Sequence, residues 1–288
     1  MPVAPGGGID IIARVIAPRL NEALGHSVIV ENRSGGAMVI GTTYAAKAPP
    51  DGHTLIANNS SLAFNATLYS KLPYDTLKDL APVSLLAKQP SIVVVHPSLP
   101  VQSIAQLVAL ARSRPGQLAY GSGGSGTSIH LAAALLAISA KLDLLHVPYK
   151  GAAPVLIDLV GGQIQMAIPT LAPTLPFVTS KRLKALAVTG STRAAAVPQL
   201  PTVAEAGIAG YEFVTWYALA APGGTPARIV ERLNTALAKI LGTPEVRRTL
   251  TAQGFEPTPS TAEAYGAYLK AEVAKWESVI RLAKIEVE

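Results

Sequence analysis

No cysteine occurs among the 288 residues. That excludes disulfides, thiolate catalysis and cysteine-based zinc sites together, and it leaves the chain safe in an oxidising compartment. Charge is sparse too, at 15% of residues, and although the formal net charge is +6 the lysines and arginines are scattered. No basic run carries interleaved aromatics, so no nucleic-acid partner is expected. The basic balance favours small anions by steering. The five histidines, His26, His53, His96, His130 and His146, show neither H-x-x-x-H nor H-x-H spacing, so no metal is expected and each reads as a surface or packed residue. No run reaches the roughly 18 to 20 apolar residues of a membrane span. The opening Met1-Pro-Val-Ala-Pro5 does not read as a signal peptide, and no fixed-period repeat or low-complexity linker appears.

What is present begins with 49% hydrophobic residues, enough at this length for one large domain or two ordinary ones. The most informative stretch is Leu118-Ala-Tyr-Gly-Ser-Gly-Gly-Ser-Gly-Thr-Ser-Ile-His130. Leu118 to Tyr120 reads as a strand end, Gly121 to Gly126 as a turn whose backbone can approach a ligand, and Thr127 or Ser128 as the cap of a helix over residues 129–140. Free amides and the positive end of a helix dipole would then face a carboxylate or phosphate. Similar turns occur in α/β proteins that bind nothing there, so the stretch alone leaves both readings open. Gly121, Gly123 and Gly126 spell G-x-G-x-x-G, yet Asp143 lies at the start of the next strand, the wrong end for a ribose-binding acid. The nucleophile elbow G-x-S-x-G fails because position 127 is Thr.

Two more glycine turns feed helices. Pro5-Gly-Gly-Gly-Ile-Asp10 leads into a helix ended by Gly25, with Ile12, Val15, Ile16 and Leu20 at helical spacing and Asp10 as a cap or dipole partner. Pro148-Tyr-Lys-Gly151 precedes a helix over 154–160. Strands are expected at 27–30, 53–57, 80–86, 91–95, 142–147, 164–168 and 183–188, and this alternation with helices marks a mostly parallel sheet between helices. Asn58, Asn59, Ser60 and Ser61 follow a strand at its C-terminal end, either a ligand-facing position or an ordinary polar turn. An amphipathic helix is expected over 103–113. Tyr211 to Ala221 is long for one strand and suits a segment crossing between two sheets. Thr225-Pro226 and Thr243-Pro244 are expected to open helices, and Ser260-Thr-Ala-Glu263 reads as a capping box for a last helix over 262–283.

Taken in order, Pro5-Gly-Gly-Gly-Ile-Asp-Ile-Ile-Ala-Arg14, Val30-Glu-Asn-Arg33, Pro50-Asp-Gly-His-Thr-Leu55, Leu72-Pro-Tyr-Asp75, Gly126-Thr-Ser-Ile-His130, His146-Val-Pro-Tyr-Lys-Gly151, Pro201-Thr-Val-Ala-Glu-Ala-Gly207 and Pro222-Gly-Gly-Thr-Pro226 resemble one family over almost the whole chain. It is the periplasmic solute-binding proteins of tripartite tricarboxylate transport systems, the Bug proteins. The resemblance implies an α/β periplasmic-binding-protein fold of type II, a Venus flytrap whose lobes each hold a mixed, mostly parallel sheet flanked by helices. Lobe 1 would comprise residues 1–98 with 219–288 and lobe 2 residues 99–218, with Pro97 and Trp216 at the hinge. It implies a small carboxylate ligand, a di- or tricarboxylate or an aromatic acid, held between the lobes by main-chain amides, hydroxyls and water. It further implies membrane permease partners, a periplasmic location, no cofactor, no catalysis and a monomer.

Carried over position by position, the resemblance assigns ligand contacts to Gly7, Gly8 and Asp10 in lobe 1. In lobe 2 it assigns them to Ser122, Ser125, Gly126, Thr127, Ser128 and His130, with Tyr149 and Gly151 alongside. Asn59, Ser60 and Ser61 are further candidates. His130 is read either as a ligand contact or as a packed residue, and Trp216 as an aromatic plug. Many relatives carry an acid where this chain has Pro169-Thr170, which disfavours an amino-acid ligand. Ala152 and Ser34 replace residues usual in relatives. Relatives also carry a secretion signal and a strand ahead of the first glycine turn, which this chain is expected to lack through an internal start or trimming, the alternative being a cytosolic degenerate copy. Two other functions remain compatible with the sequence: a sensor feeding a membrane kinase, and a hydrolase using Ser125 or Ser128 with His130 and Asp158.

Overall fold

Two mixed sheets, each with its own helices, organise the protein in this computed structural model, which describes residues 1–3, 5–149 and 151–285. The first compact unit takes Met1–Lys88 and Trp216–Ser278, and the second takes Gln89–Thr215 and the chain from Val279 on. In chain order the first unit opens with α1 (Gly8–Leu24), a short 3-10 turn (Gly36–Met38), α2 (Val39–Ala46), β1 (Ile56–Asn59) and α3 (Ser61–Leu68). β2 (Leu80–Pro90) is followed, after Ser91 alone, by β3 (Ile92–Val95). Then come α4 (Ile104–Ser113), β4 (Ala119–Ser122), α5 (Ser128–Ala140), β5 (Leu145–Pro148), α6 (Ala152–Val160), β6 (Met166–Ala167), α7 (Leu171–Thr179) and β7 (Lys184–Val188). β8 (Val214–Pro222), α8 (Ala227–Gly242), α9 (Pro244–Ala252), β9 (Glu256–Pro257) and α10 (Ala262–Leu282) complete the chain. No helix among the described residues is long and apolar enough to cross a membrane.

The first sheet runs β1-β8-β2-β9, with β1 antiparallel to β8 and β2 to β9. The second runs β5-β4-β6-β3-β7; β4 is parallel to β5 and β6, whereas β3 is antiparallel to both its neighbours. The expected alternation of helix and strand is therefore present, but parallel pairing centres on β4.

Helical spacing in α1 works as read. Ile9, Ile12, Ile16 and Leu20 are buried against Leu233, Leu237 and Ile240 of α8 and Val83 and Leu86 of the sheet, and Gly25 ends α1 in the left-handed region (φ 71°) with its N–H on Asn21 O. The second core gathers Ile92, Val94, Ala119, Val155, Leu159, Ile164 and Val188. Near the end of the chain the first unit holds a buried carboxylate: Glu272 Oε2 accepts from the indole N–H of both Trp216 and Trp276, at 3.0 Å each. Trp276 stands edge-on to Phe64 (4.8 Å), and Trp216 edge-on to Tyr265 (6.0 Å).

Several local expectations are corrected. Residues 27–30 form no strand, and Ile29 is exposed; Val28 N donates instead to Asn21 Oδ1. β1 starts later than expected, so Asn58 and Asn59 belong to the strand and are not a turn. Thr225 and Thr243 do not cap α8 and α9 through their side chains; their hydroxyls donate backwards to Pro222 O and Ile240 O. The last helix is capped by Thr261, whose Oγ1 accepts from Ala264 N, while Ser260 Oγ serves Leu85 N across the fold. The unit boundaries fall between Lys88 and Gln89, within β2, and between Thr215 and Trp216, within β8.

Candidate anion-binding loops

In the second unit the polypeptide leaves β4 at Ser122 and enters α5 at Ser128. Each glycine between has its own reason. At Gly121 a Cβ would fall 2.4 Å from Ile164 Cδ1 and 2.9 Å from Val155 Cγ1, so the strand can lie on α6 only without a side chain. Gly124 and Gly126 hold φ of +116° and +75°, backbone that L side chains rarely adopt. Gly123 O accepts from Gly151 N, and Ser122 O from Tyr149 N, tying the turn to the one that opens α6.

Side chains then brace the turn from below. Ser122 is fully buried; its Oγ accepts from Gly124 N (3.1 Å) and lies 2.6 Å from His146 Nε2. The expected cap at Thr127 is not made. Its hydroxyl donates back to Gly124 O at 2.8 Å, and the first turn of α5 has no side-chain cap. The amide of Gly126, expected to face a ligand, donates to His130 Nδ1 at 3.1 Å. Ser125 is exposed and Ser128 half-buried, and the first-turn amides of Ser128 and Ile129 have no partner within the helix by the geometry of any helix start. These amides and the dipole behind them suit an anion.

His130 and His146, each read from the sequence as a surface or packed residue, are brought together in the structure. Tyr120 pairs with His146 across β4 and β5, and the rings of His130 and His146 stack at 4.0 Å, 7° from parallel, with Tyr120 over His146 at 4.9 Å. Burial, helped by the neighbouring His146, pulls His130 down to about 4, and burial lowers His146 as well. The only sequence signal for this pairing is that both residues flank β4 through the adjacent helix and strand. Asp158, assigned above to a hydrolytic relay, instead accepts from Tyr149 OH at 2.8 Å, and His130 is turned to a backbone amide. The acyl-transfer triad is not assembled. Pro169 and Thr170 serve the backbone: Pro169 O accepts from Ile92 N, and Thr170 precedes α7 and pairs with Ser91.

In the first unit Gly7 is the exposed N-cap residue of α1. A Cβ on Gly8 would meet Tyr217 Oη at 2.5 Å. Asp10 is a buried brace: it accepts from Arg14 Nε (2.9 Å), Gly6 N (3.0 Å) and Asn32 Nδ2 (3.0 Å), and the Arg14 hydrogen bond chiefly holds its carboxyl far below the usual carboxylate range. Asn32, missed in the sequence reading, also donates to Val3 O. Asn59 Oδ1 accepts from Ser61 N, and buried Ser60 Oγ accepts from Trp216 N. Asp10→Ala is expected to destabilise the protein by about 1–3 kcal/mol at neutral pH through loss of these bonds. Because the folded-state carboxyl is depressed, its contribution is present above its ordinary value near 4 and fades below it. Chemical denaturation at pH 7 and pH 3 should therefore show a smaller difference between variant and parent at pH 3. Among the described residues no group of three His, Asp or Glu side chains gathers as metal ligands.

The sequence pattern described as "Tripartite tricarboxylate transporter family receptor" matches residues 12–285. "Protein BugT" of Bordetella pertussis is 35% identical over 283 residues, 98% of this chain and 87% of that protein. The solved structure "R. palustris Rpa4515 with adipate" superposes with a TM-score of 0.87 at 38% identity, covering 99% of this chain and 96% of the other. "MatC (Rpa3494) from Rhodopseudomonas palustris with bound malate" superposes with a TM-score of 0.82 at 31% identity, covering 97% and 96%.

Proposed function

Because the chain belongs to the tripartite tricarboxylate transporter receptor family, a family of solute-binding receptors and not of enzymes, we propose that it captures a small aliphatic dicarboxylate and delivers it to a membrane permease from the periplasmic side. The observation that carries this reading is the glycine turn between β4 and α5, which Ser122, Thr127 and His130 brace from within and which leads into the first-turn amides of α5, left without a partner inside the helix. Relatives of the same fold hold adipate and malate, acids whose carboxylates match such donors without needing a cationic side chain. Ser125, Ser128 and the first-turn amides of α5 make the primary contacts. Gly7 and Gly8 at the start of α1 offer a second amide-bearing turn. Ser122, Asp10, Ser60 and His130 act through the backbone they brace, and Pro169-Thr170 supplies no carboxylate for an ammonium group, which sets amino acids aside.

A thermal-shift series of the ligand-free protein against adipate, malate, citrate, benzoate and glutamate is the test. At a hundredfold excess over the dissociation constant a true ligand stabilises the native state by about 2.7 kcal/mol. The expected result is a shift with the dicarboxylates and none with glutamate. A shift with glutamate alone, or with no acid at all in protein that melts cooperatively, would sink the reading.

A further inference from the structure

We infer that His130, stacked on His146, is a proton-sensitive clasp for the glycine loop: its neutral ring accepts the Gly126 amide, and protonation unlatches the loop and weakens carboxylate capture. This rests on the proposed function only for its last step.

A backbone N–H can only donate, so the 3.1 Å contact from Gly126 N fixes His130 Nδ1 as an unprotonated acceptor, with the ring proton on Nε2. A proton arriving at Nδ1 destroys that bond and leaves two donors facing each other. The two rings are not equivalent in this respect. Ser122 Oγ can either donate to His146 Nε2 or accept from it, turning its own proton to Gly124 O at 3.2 Å, so the Ser122 brace survives protonation of His146. The Gly126 bond does not survive protonation of His130.

The surroundings set the range in which this happens. His130 is 6% exposed, with Tyr120 and His146 on its stacking side. Lys141 and Asp143 share the hollow it lines with Leu142, Leu144 and the end of α10. Burial and the positive charge that His146 acquires both resist protonation of His130. The clasp is therefore closed at neutral pH and opens only in acid, and a charged His146 4.0 Å away postpones the opening.

The test begins without any ligand. In protein labelled with 15N-glycine, the Gly126 amide, identified by its loss in Gly126→Ala, is followed from pH 7.5 to pH 4. It should shift as His130 titrates, and its protection, the exchange rate relative to an unstructured amide at the same pH, should fall. In His130→Asn, whose side-chain oxygen replaces Nδ1 as an acceptor that takes up no proton, the same signal should stay flat. His146→Gln removes the opposing charge and should move the midpoint of the wild-type transition upward. Adipate is then titrated calorimetrically at pH 7.5 and pH 4.0. Adipate's own protonation affects both proteins equally, so wild type should lose about twofold more affinity than His130→Asn over that interval, the loss expected when half of His130 is protonated. A Gly126 signal that ignores pH in wild type, or equal or smaller losses of affinity in wild type, overturns the clasp. If Gly126 titrates as expected while adipate binds at neither pH, the clasp stands and the carboxylate reading fails for adipate.

Discussion

Glu272→Leu is expected to lower the melting temperature of the protein by roughly 10 °C, the largest effect of any single side-chain change considered. The carboxylate is the common acceptor of two buried indole N–H groups, Trp216 Nε1 and Trp276 Nε1, and both tryptophans are essentially buried. Leucine fits the space in volume but strands both donors, at about 1–3 kcal/mol each. For a unit of about 150 residues each kilocalorie moves the midpoint by roughly 2–4 °C. Glu272→Gln keeps an oxygen in place and should cost only about 1 kcal/mol, the difference between a charged and a neutral acceptor. Lys275 Nζ, 3.9 Å from the other carboxylate oxygen and half-exposed, contributes little, as surface ion pairs generally do, so Lys275→Ala should melt within a degree or two of the parent. Scanning calorimetry of the three variants decides the matter. Equal destabilisation by Leu and Gln would mean that packing volume, not the shared acceptor, holds the tryptophans.

That buried carboxylate marks a boundary of what could be read in the sequence. Periodicity located most helices, because a helix that buries one face writes its spacing into the chain; α1, α4 and α8 are examples. Glycine turns were legible for the same local reason. What Trp216 and Glu272 do depends on residues 56 positions apart meeting in space, and no local pattern carries that. Strand direction was equally hidden: Ile92-Val-Val-Val95 reads as a buried strand in either orientation, and it is antiparallel to both neighbours. The run Ser27-Val-Ile-Val30 has strand composition but pairs with no strand among the described residues, so composition alone misled. At the candidate site the glycine loop itself was legible, while its bracing was not. Ser122, Thr127 and the Gly126 amide, all read as facing outward to a ligand, turned out to be spent on the loop. His146 was passed over because pairing with His130 requires the register of β4 and β5.

Gly124→Ala should separate the two roles of that loop, presentation of amides and internal bracing. Gly124 sits at φ +116°, outside even the left-handed helical region, where a non-glycine residue costs on the order of 1–3 kcal/mol. Its Cβ would also lie 3.4 Å from Tyr149 O, tolerable contact. The loop is exposed enough to relax, so the variant should escape most of the strain in the free protein by shifting its turn, losing the Gly124 N bond to Ser122 Oγ and the Thr127 bond to Gly124 O on the way. Binding a carboxylate requires the original turn, and the strain must then be restored at that moment. A penalty of about 1–3 kcal/mol at the binding step corresponds to roughly a 5- to 150-fold loss of affinity. The control is Gly207→Ala, at φ +107° with nothing within 4 Å of its Cβ, in a turn closed by its own N–H on Ala204 O; it carries similar backbone strain outside the glycine loop. Calorimetric titration with adipate should show Gly124→Ala weakened by at least about fivefold with only a modest fall in melting temperature, and Gly207→Ala destabilised with unchanged affinity. Equal affinity in the two variants would remove the glycine turn from the binding site, since the same strain would then have the same consequence wherever it is placed.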